Sequence, residues 1–76
     1  MNIIGSITIN TPNGQRTLNG DELQIEEFNN GPEIEIGWED DNWSVKKIFG
    51  GKPGESDGDW EVENCSITQE NIRVIY

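Results

Sequence analysis

Two runs of period-two alternation, one on each side of a short polar break, constrain this chain most. Ile34, Ile36 and Trp38 alternate with Glu33, Glu35 and Gly37. Glu39-Asp40-Asp41-Asn42 then interrupts, and Trp43 and Val45, with Lys47 or Ile48, resume the pattern. Alternation on both sides of a polar break predicts a β-hairpin with one packed face and one wet face. A register centred between Asp40 and Asp41 sets Trp38 opposite Trp43 and Ile36 opposite Val45. Aromatic and β-branched cross-strand pairs of this kind contribute roughly 0.2–1 kcal/mol each.

The rest of the chain reads the same way. Ile3, Gly5, Ile7 and Ile9 share one face, and Thr11-Pro12-Asn13-Gly14 is a turn in which Pro12 presets φ and Asn13-Gly14 accepts positive φ. Residues 15–19 form a short return strand, Asn19-Gly20-Asp21 a second turn, and residues 22–28 a strand with Leu23 and Ile25 inward and Glu22 and Glu26 outward. Phe28 fits that strand only beside a bulge or its end. Residues 29–32 turn again, and 50–59, with four glycines and a proline, form the longest loop. Trp60 and Val62 begin another strand, which slips near Asn64-Cys65 and continues through Ile67. A polar turn at 68–71, or a single helical turn over 66–71, precedes a last strand with Ile72, Val74 and Tyr76 on one face. No window sustains helical spacing, and Ala is absent.

The expectation is therefore an all-β fold with residues 1–76 as a single domain: a small antiparallel barrel or a two-sheet sandwich of about six short strands. A chain of 76 residues buries only about 60% of its unfolded surface, so the core is small. A lone cysteine, Cys65, supplies neither a disulfide framework nor a metal cluster and suits a reducing compartment. The sequence shows no signal-peptide pattern and no apolar run near the ~20 residues a membrane helix requires, so a cytoplasmic chain with no membrane partner is expected.

Catalysis finds little support in the residue types. The chain has no His, which removes the commonest general base, metal ligand and partner of a nucleophile. Cys65 reads as a small core residue. Gly50-Gly51-Lys52-Pro53-Gly54 lacks the context of a phosphate-binding loop. Paired carboxylates are plentiful, but so short a chain is ill suited to enclosing a water-excluding pocket. No catalytic residue, cofactor or metal ligand is assigned. Glu55-Ser56-Asp57-Gly58-Asp59, with Glu61 or Glu63 in loose reach, has oxygen donors at loop spacing, yet lacks the register of a calcium loop. A calcium-stabilised domain acting through residues 55–63 is the most remote alternative.

Charge carries more information. Fifteen acidic against five basic residues leave a net charge of −10, beyond the magnitude of about 2–8 that suits solubility alone. Such a field repels nucleic acid and speeds association with basic partners. Alternation sends Glu22 and Glu26, Glu33 and Glu35, and Glu61 and Glu63 to wet faces, with Glu39, Asp40 and Asp41 at one hairpin end. If those strands are neighbours, their outer faces form a carboxylate lattice. Opposed like charges destabilise a sheet, so the fold gains nothing from that arrangement. Lys46, Lys47 and Lys52 are expected to neutralise nearby carboxylates. All three tryptophans fall in phase with apolar faces. Trp43, beside the hairpin tip, is the one expected to be partly exposed as an interface anchor.

The leading expectation is a small acidic protein that docks on a basic protein partner without binding nucleic acid itself. An inhibitor, immunity protein or nucleic-acid mimic directed at a nuclease or nucleic-acid-binding protein fits that description, by analogy of charge alone. The expected contacts are Glu33, Glu35, Glu39, Asp40, Asp41, Trp43, Glu61 and Glu63. The alternative is a structural, self-associating β module that forms a homo-oligomer through an edge strand such as 71–76.

Overall fold

The computed structural model describes residues 2–27, 33–50 and 59–75. Nine strands and one 3₁₀ turn account for most of them. The strands are β1 (Asn2–Ile4), β2 (Ser6–Thr11), β3 (Gly14–Asn19), β4 (Gln24–Glu27), β5 (Ile34–Glu39), β6 (Ser44–Phe49), β7 (Glu61–Glu63), β8 (Ser66–Glu70) and β9 (Arg73–Ile75); the turn is Gly20–Glu22. All pairings are antiparallel, in three sheets ordered β3-β2-β8, β4-β5-β6-β7 and β1-β9. The fold is all-β and sandwich-like, not a closed barrel. Among the described residues no helix is long and apolar enough to cross a membrane.

More strands appear than the expected six or so, in part because two residues with positive φ divide longer runs. Gly5, at φ +91°, separates β1 from β2, and an added Cβ there would lie 2.3 Å from the Asn71 carbonyl oxygen. Asn64, at φ 56°, ends β7 and lets the chain cross from the four-stranded sheet to the three-stranded one. The side-chain amide of Asn64 holds the crossing by donating to the Asn42 carbonyl at 2.8 Å. Residues 68–70 are not a turn: β8 runs through Glu70 against β2, with a register shift between Thr8 and Ile9. The single helical turn lies at Gly20–Glu22, which removes Glu22 from the strand that begins at Gln24.

The core lies between the two larger sheets. Ile7, Ile9 and Leu18 from β2 and β3 meet Ile34, Ile36, Val45 and Phe49 from β5 and β6, and Leu23 and Ile72 close its ends. Ile25 keeps the inward phase of its partner Ile36 but stays 45% exposed, because β4 is an edge strand with little over it. Trp60 packs edge-to-face on Phe49, with ring centroids 6.1 Å apart at 74°. Cys65 lies between β7 and β8, half-buried, and its thiol donates to the Ser44 carbonyl oxygen at 3.3 Å. The C-terminal strand has one edge paired, by β1 from Asn2↔Ile75 to Ile4↔Arg73, and among the described residues its other edge meets no strand. Phe28, the turn at 29–32, Lys52, the acidic loop at 55–58 and Tyr76 lie outside the described residues.

The central hairpin forms with its partners shifted. Trp38 is opposite Val45 and Ile36 opposite Lys47, with Glu39↔Ser44 the last pair. Asp40 N–H then donates to the Trp43 carbonyl oxygen at 2.9 Å. A shift of two residues preserves the face of every side chain while changing its partner. Its consequence is that Trp43 leaves the ladder and turns into the core, where it is 3% exposed. The expected exposed anchor is thus a core residue.

Candidate protein-interaction face

The outer face of the four-stranded sheet follows from the register. Side chains directly opposite one another share a face, so three rows cross the strands. Glu26, Glu35 and Ile48 form the first. Gln24, Gly37, Lys46 and Glu61 form the second, and Glu39, Ser44 and Glu63 the third. Five carboxylates thereby share one sheet face with one lysine. Neighbouring strands are about 4.8 Å apart and residues i and i+2 about 6.7 Å apart. Glu61 and Glu63 are then separated by about 6.7 Å, and Glu39 and Glu63, two strands apart, by roughly 10 Å.

Gly37 marks the tightest approach of two strands on this face. Its backbone lies so close to β6 that an added Cβ would sit 2.4 Å from the Val45 carbonyl oxygen, so no side chain stands at the centre. The face carries a groove of about 750 Å³ lined by Gln24, Glu26, Glu35, Glu39, Lys46, Glu61 and Glu63 among others. Lys46 Nζ lies 3.6 Å from Glu61 Oε2, with both side chains more than half exposed. Pairs that exposed contribute about 0–1 kcal/mol. Among the described residues, Glu26, Glu35, Glu39 and Glu63 have no cation within ion-pair distance.

Of the expected contact residues, Glu35, Glu39, Glu61 and Glu63 meet on this face. Glu33 lies just before β5, two residues from Glu35 and half-buried. Asp40 and Asp41 sit at the hairpin tip, beyond the face. Asp40 Oδ2 turns toward Arg16 of the other sheet, 3.6 Å from its guanidinium, and Arg16 in turn covers the Trp38 ring at 4.9 Å. Trp43 is buried and takes no part. Lys47 points to the opposite face, 4.8 Å above the Phe49 ring, rather than toward the acids. Sequence reasoning missed Gly37 and Ser44, while Lys46 pairs with a carboxylate of the next strand as expected, at Glu61. The signal for the missed two was parity: Gly37 alternates in step with Glu35 and Glu39, and Ser44 with Lys46.

The outer face of β2 and β3 is of another kind. Ser6, Thr8 and Asn10 stand opposite Asn19, Thr17 and Gln15, and none of the six is charged. The Thr8 and Thr17 hydroxyls are within hydrogen-bonding distance, at 3.1 Å. Among the described residues, no cluster of three or more His, Cys, Asp or Glu side chains forms a metal site. No protein-family model matches the chain, and no curated protein or solved structure is significantly similar to it.

Proposed function

We propose that this chain is a small acidic binding protein that docks the outer face of β4-β5-β6-β7 on a basic surface of a protein partner. The partner class that best fits is a nuclease or other nucleic-acid-binding protein. The chain would then act as an inhibitor or immunity protein by occupying the site where a phosphate backbone binds. What carries this reading is segregation of charge: five carboxylates share one sheet face, while the paired outer positions of β2 and β3 carry none. Acids that served solubility alone would gain nothing from being gathered on one side. Gathering has a cost, since Glu26 faces Glu35 directly and opposed like charges destabilise a sheet.

The mechanism is electrostatic. A concave field of one sign concentrates counter-charge and raises association rates toward about 10⁸–10⁹ M⁻¹s⁻¹ at low salt. The groove lets Arg or Lys side chains of the partner lie between Glu35, Glu39, Glu61 and Glu63. Lys46 supplies an internal counter-charge through Glu61 that an incoming guanidinium displaces.

Capture from a lysate of the source cell, with the full chain as bait and elution by a NaCl gradient, tests the proposal. The expected result is a basic nucleic-acid-binding protein, recovered in stoichiometric amount and released at moderate salt. Recovery only of acidic proteins, or of partners indifferent to salt, would overturn it.

A further inference from the structure

The strand edges of this fold are protected unequally. β4 carries Glu26 and Glu27 and β7 carries Glu61 and Glu63, charges of the kind that block strand addition. β8 meets β2 through a register shift and ends on Glu70, and β1 and β9 are only three residues long. β3 has none of these protections. It is six residues long, has no acidic residue and no proline, and pairs with β2 without interruption from Thr11↔Gly14 to Ser6↔Asn19. Its one charge, Arg16, is held over Trp38 and against Asp40 of its own chain.

The hydrogen-bond phase shows which groups that edge presents. Gly20 N–H donates to Gly5 O at 2.9 Å, one step beyond the Ser6↔Asn19 pair. Bonded and non-bonded pairs alternate along an antiparallel ladder. Leu18, Arg16 and Gly14 are therefore in phase to bond β2, and Gln15, Thr17 and Asn19 turn their N–H and C=O groups to the edge that, among the described residues, no strand covers. The other side of β2 agrees, because Asn71 N–H donates to Ser6 O at 3.0 Å and so places the even residues of β2 against β8.

We propose that the β3 edge pairs with the β3 edge of a second copy of this chain, antiparallel, about a two-fold axis at Thr17. That register sets Thr17 opposite Thr17, Gln15 opposite Asn19 and Arg16 opposite Leu18 of the second copy. Every outward main-chain group of the three odd residues then finds a partner, giving about six hydrogen bonds. No like charges oppose each other, whereas centring the pair on Arg16 would set two guanidinium groups face to face. The joined sheet presents an uncharged outer face, and the acidic faces of both copies stay on the other sheet. The match is to the chain itself: an outer face without charge offers nothing to a strongly charged partner.

Each copy carries −10, so screening by salt strengthens this association, whereas it weakens docking through the acidic face. The two readings therefore fail separately. Sedimentation equilibrium of the full chain, from micromolar to millimolar at 50 and 500 mM NaCl, is paired with amide hydrogen exchange. The expected mass rises toward twice the 8.6 kDa of one chain, at lower concentration in the higher salt. Exchange at Gln15, Thr17 and Asn19 slows at least tenfold with concentration, while Arg16 and Leu18 hardly change. Thr17→Pro removes an edge N–H that β2 does not use, and Thr17→Glu sets two carboxylates on the axis. Each is expected to leave the chain folded and abolish the dimer, so either one suffices if the other unfolds. A monomer at millimolar concentration in both salts, or a dimer whose Gln15, Thr17 and Asn19 amides exchange as in the dilute chain, overturns the proposal.

Discussion

Replacing Glu35 by lysine should make the protein more stable while damaging the face proposed to bind. Glu35 lies on β5 directly between Glu26 on β4 and Ile48 on β6, and it is half-buried by those neighbours. In the native chain the Glu26–Glu35 pair sets like charges opposite one another. Lysine at 35 removes that repulsion and adds an attraction, and each change amounts to roughly 0.2–1 kcal/mol for cross-strand pairs. The two changes together span about 0.4–2 kcal/mol, and because Glu26 is exposed the gain falls in the lower part of that span, about 0.5–1 kcal/mol. For a domain of this size 1 kcal/mol moves Tm by about 4–8 °C, so the expected rise is roughly 2–8 °C. Thermal unfolding followed by tryptophan fluorescence at 20 mM salt measures it. The same comparison in 1 M NaCl, where the screening length is about 3 Å, should reduce the gain to near zero. Glu35→Gln removes the repulsion alone and should give about half the effect. If the lysine variant melts at or below the native temperature in low salt, Glu26 and Glu35 do not oppose each other as argued.

Three further outcomes test the fold around that face. Trp43→Ala should cost about 3–5 kcal/mol in urea unfolding, because the indole is a core residue and not an anchor awaiting a partner. A loss below about 1 kcal/mol would return Trp43 to the surface. Gly5→Ala should destabilise by more than about 1 kcal/mol, since it imposes positive φ on alanine and drives its Cβ into Asn71; Gly14→Ala, also at positive φ but with open space around it, should cost less. Arg16→Ala should cost about 1 kcal/mol by removing the cover on Trp38 and the pair with Asp40, whereas Asp40→Asn, which removes only the exposed ion pair, should cost less than half of that.

Period-two alternation made the strands and their wet faces legible, and Pro12-Asn13-Gly14 made the first turn so. It also assigned the correct face to Glu26, Glu35, Glu61 and Glu63, because parity survives a register error of two residues, whereas Glu39, read as part of the polar break, is the last paired residue of β5. Strand order was not legible. β6 stands between β5 and β7, so Glu61 and Glu63 approach Glu35 and Glu39 only across Lys46 and Ser44. Periodicity reveals neither which strand β7 pairs with nor the positive φ of Asn64, where the chain then crosses to the other sheet. Trp43 failed for a related reason. Its phase favoured the core and its acidic neighbours favoured the surface, and packing decided when Asp40 N–H closed the hairpin on the Trp43 carbonyl. Gly37 read only as a polar-phase position, since the close approach of β6 that demands glycine is a tertiary contact.

The carboxylate face of the four-stranded sheet is the surface proposed to bind. Titration of the captured partner with the native chain and with Glu35→Lys/Glu63→Lys, in 50 and 300 mM NaCl, tests it most directly. Both residues lie on the groove, and neither contributes to the core. The expected result is at least a hundredfold weaker binding by the reversed chain at 50 mM salt, and a native affinity that falls steeply at 300 mM. Equal affinity of the two chains, with little dependence on salt, would contradict it.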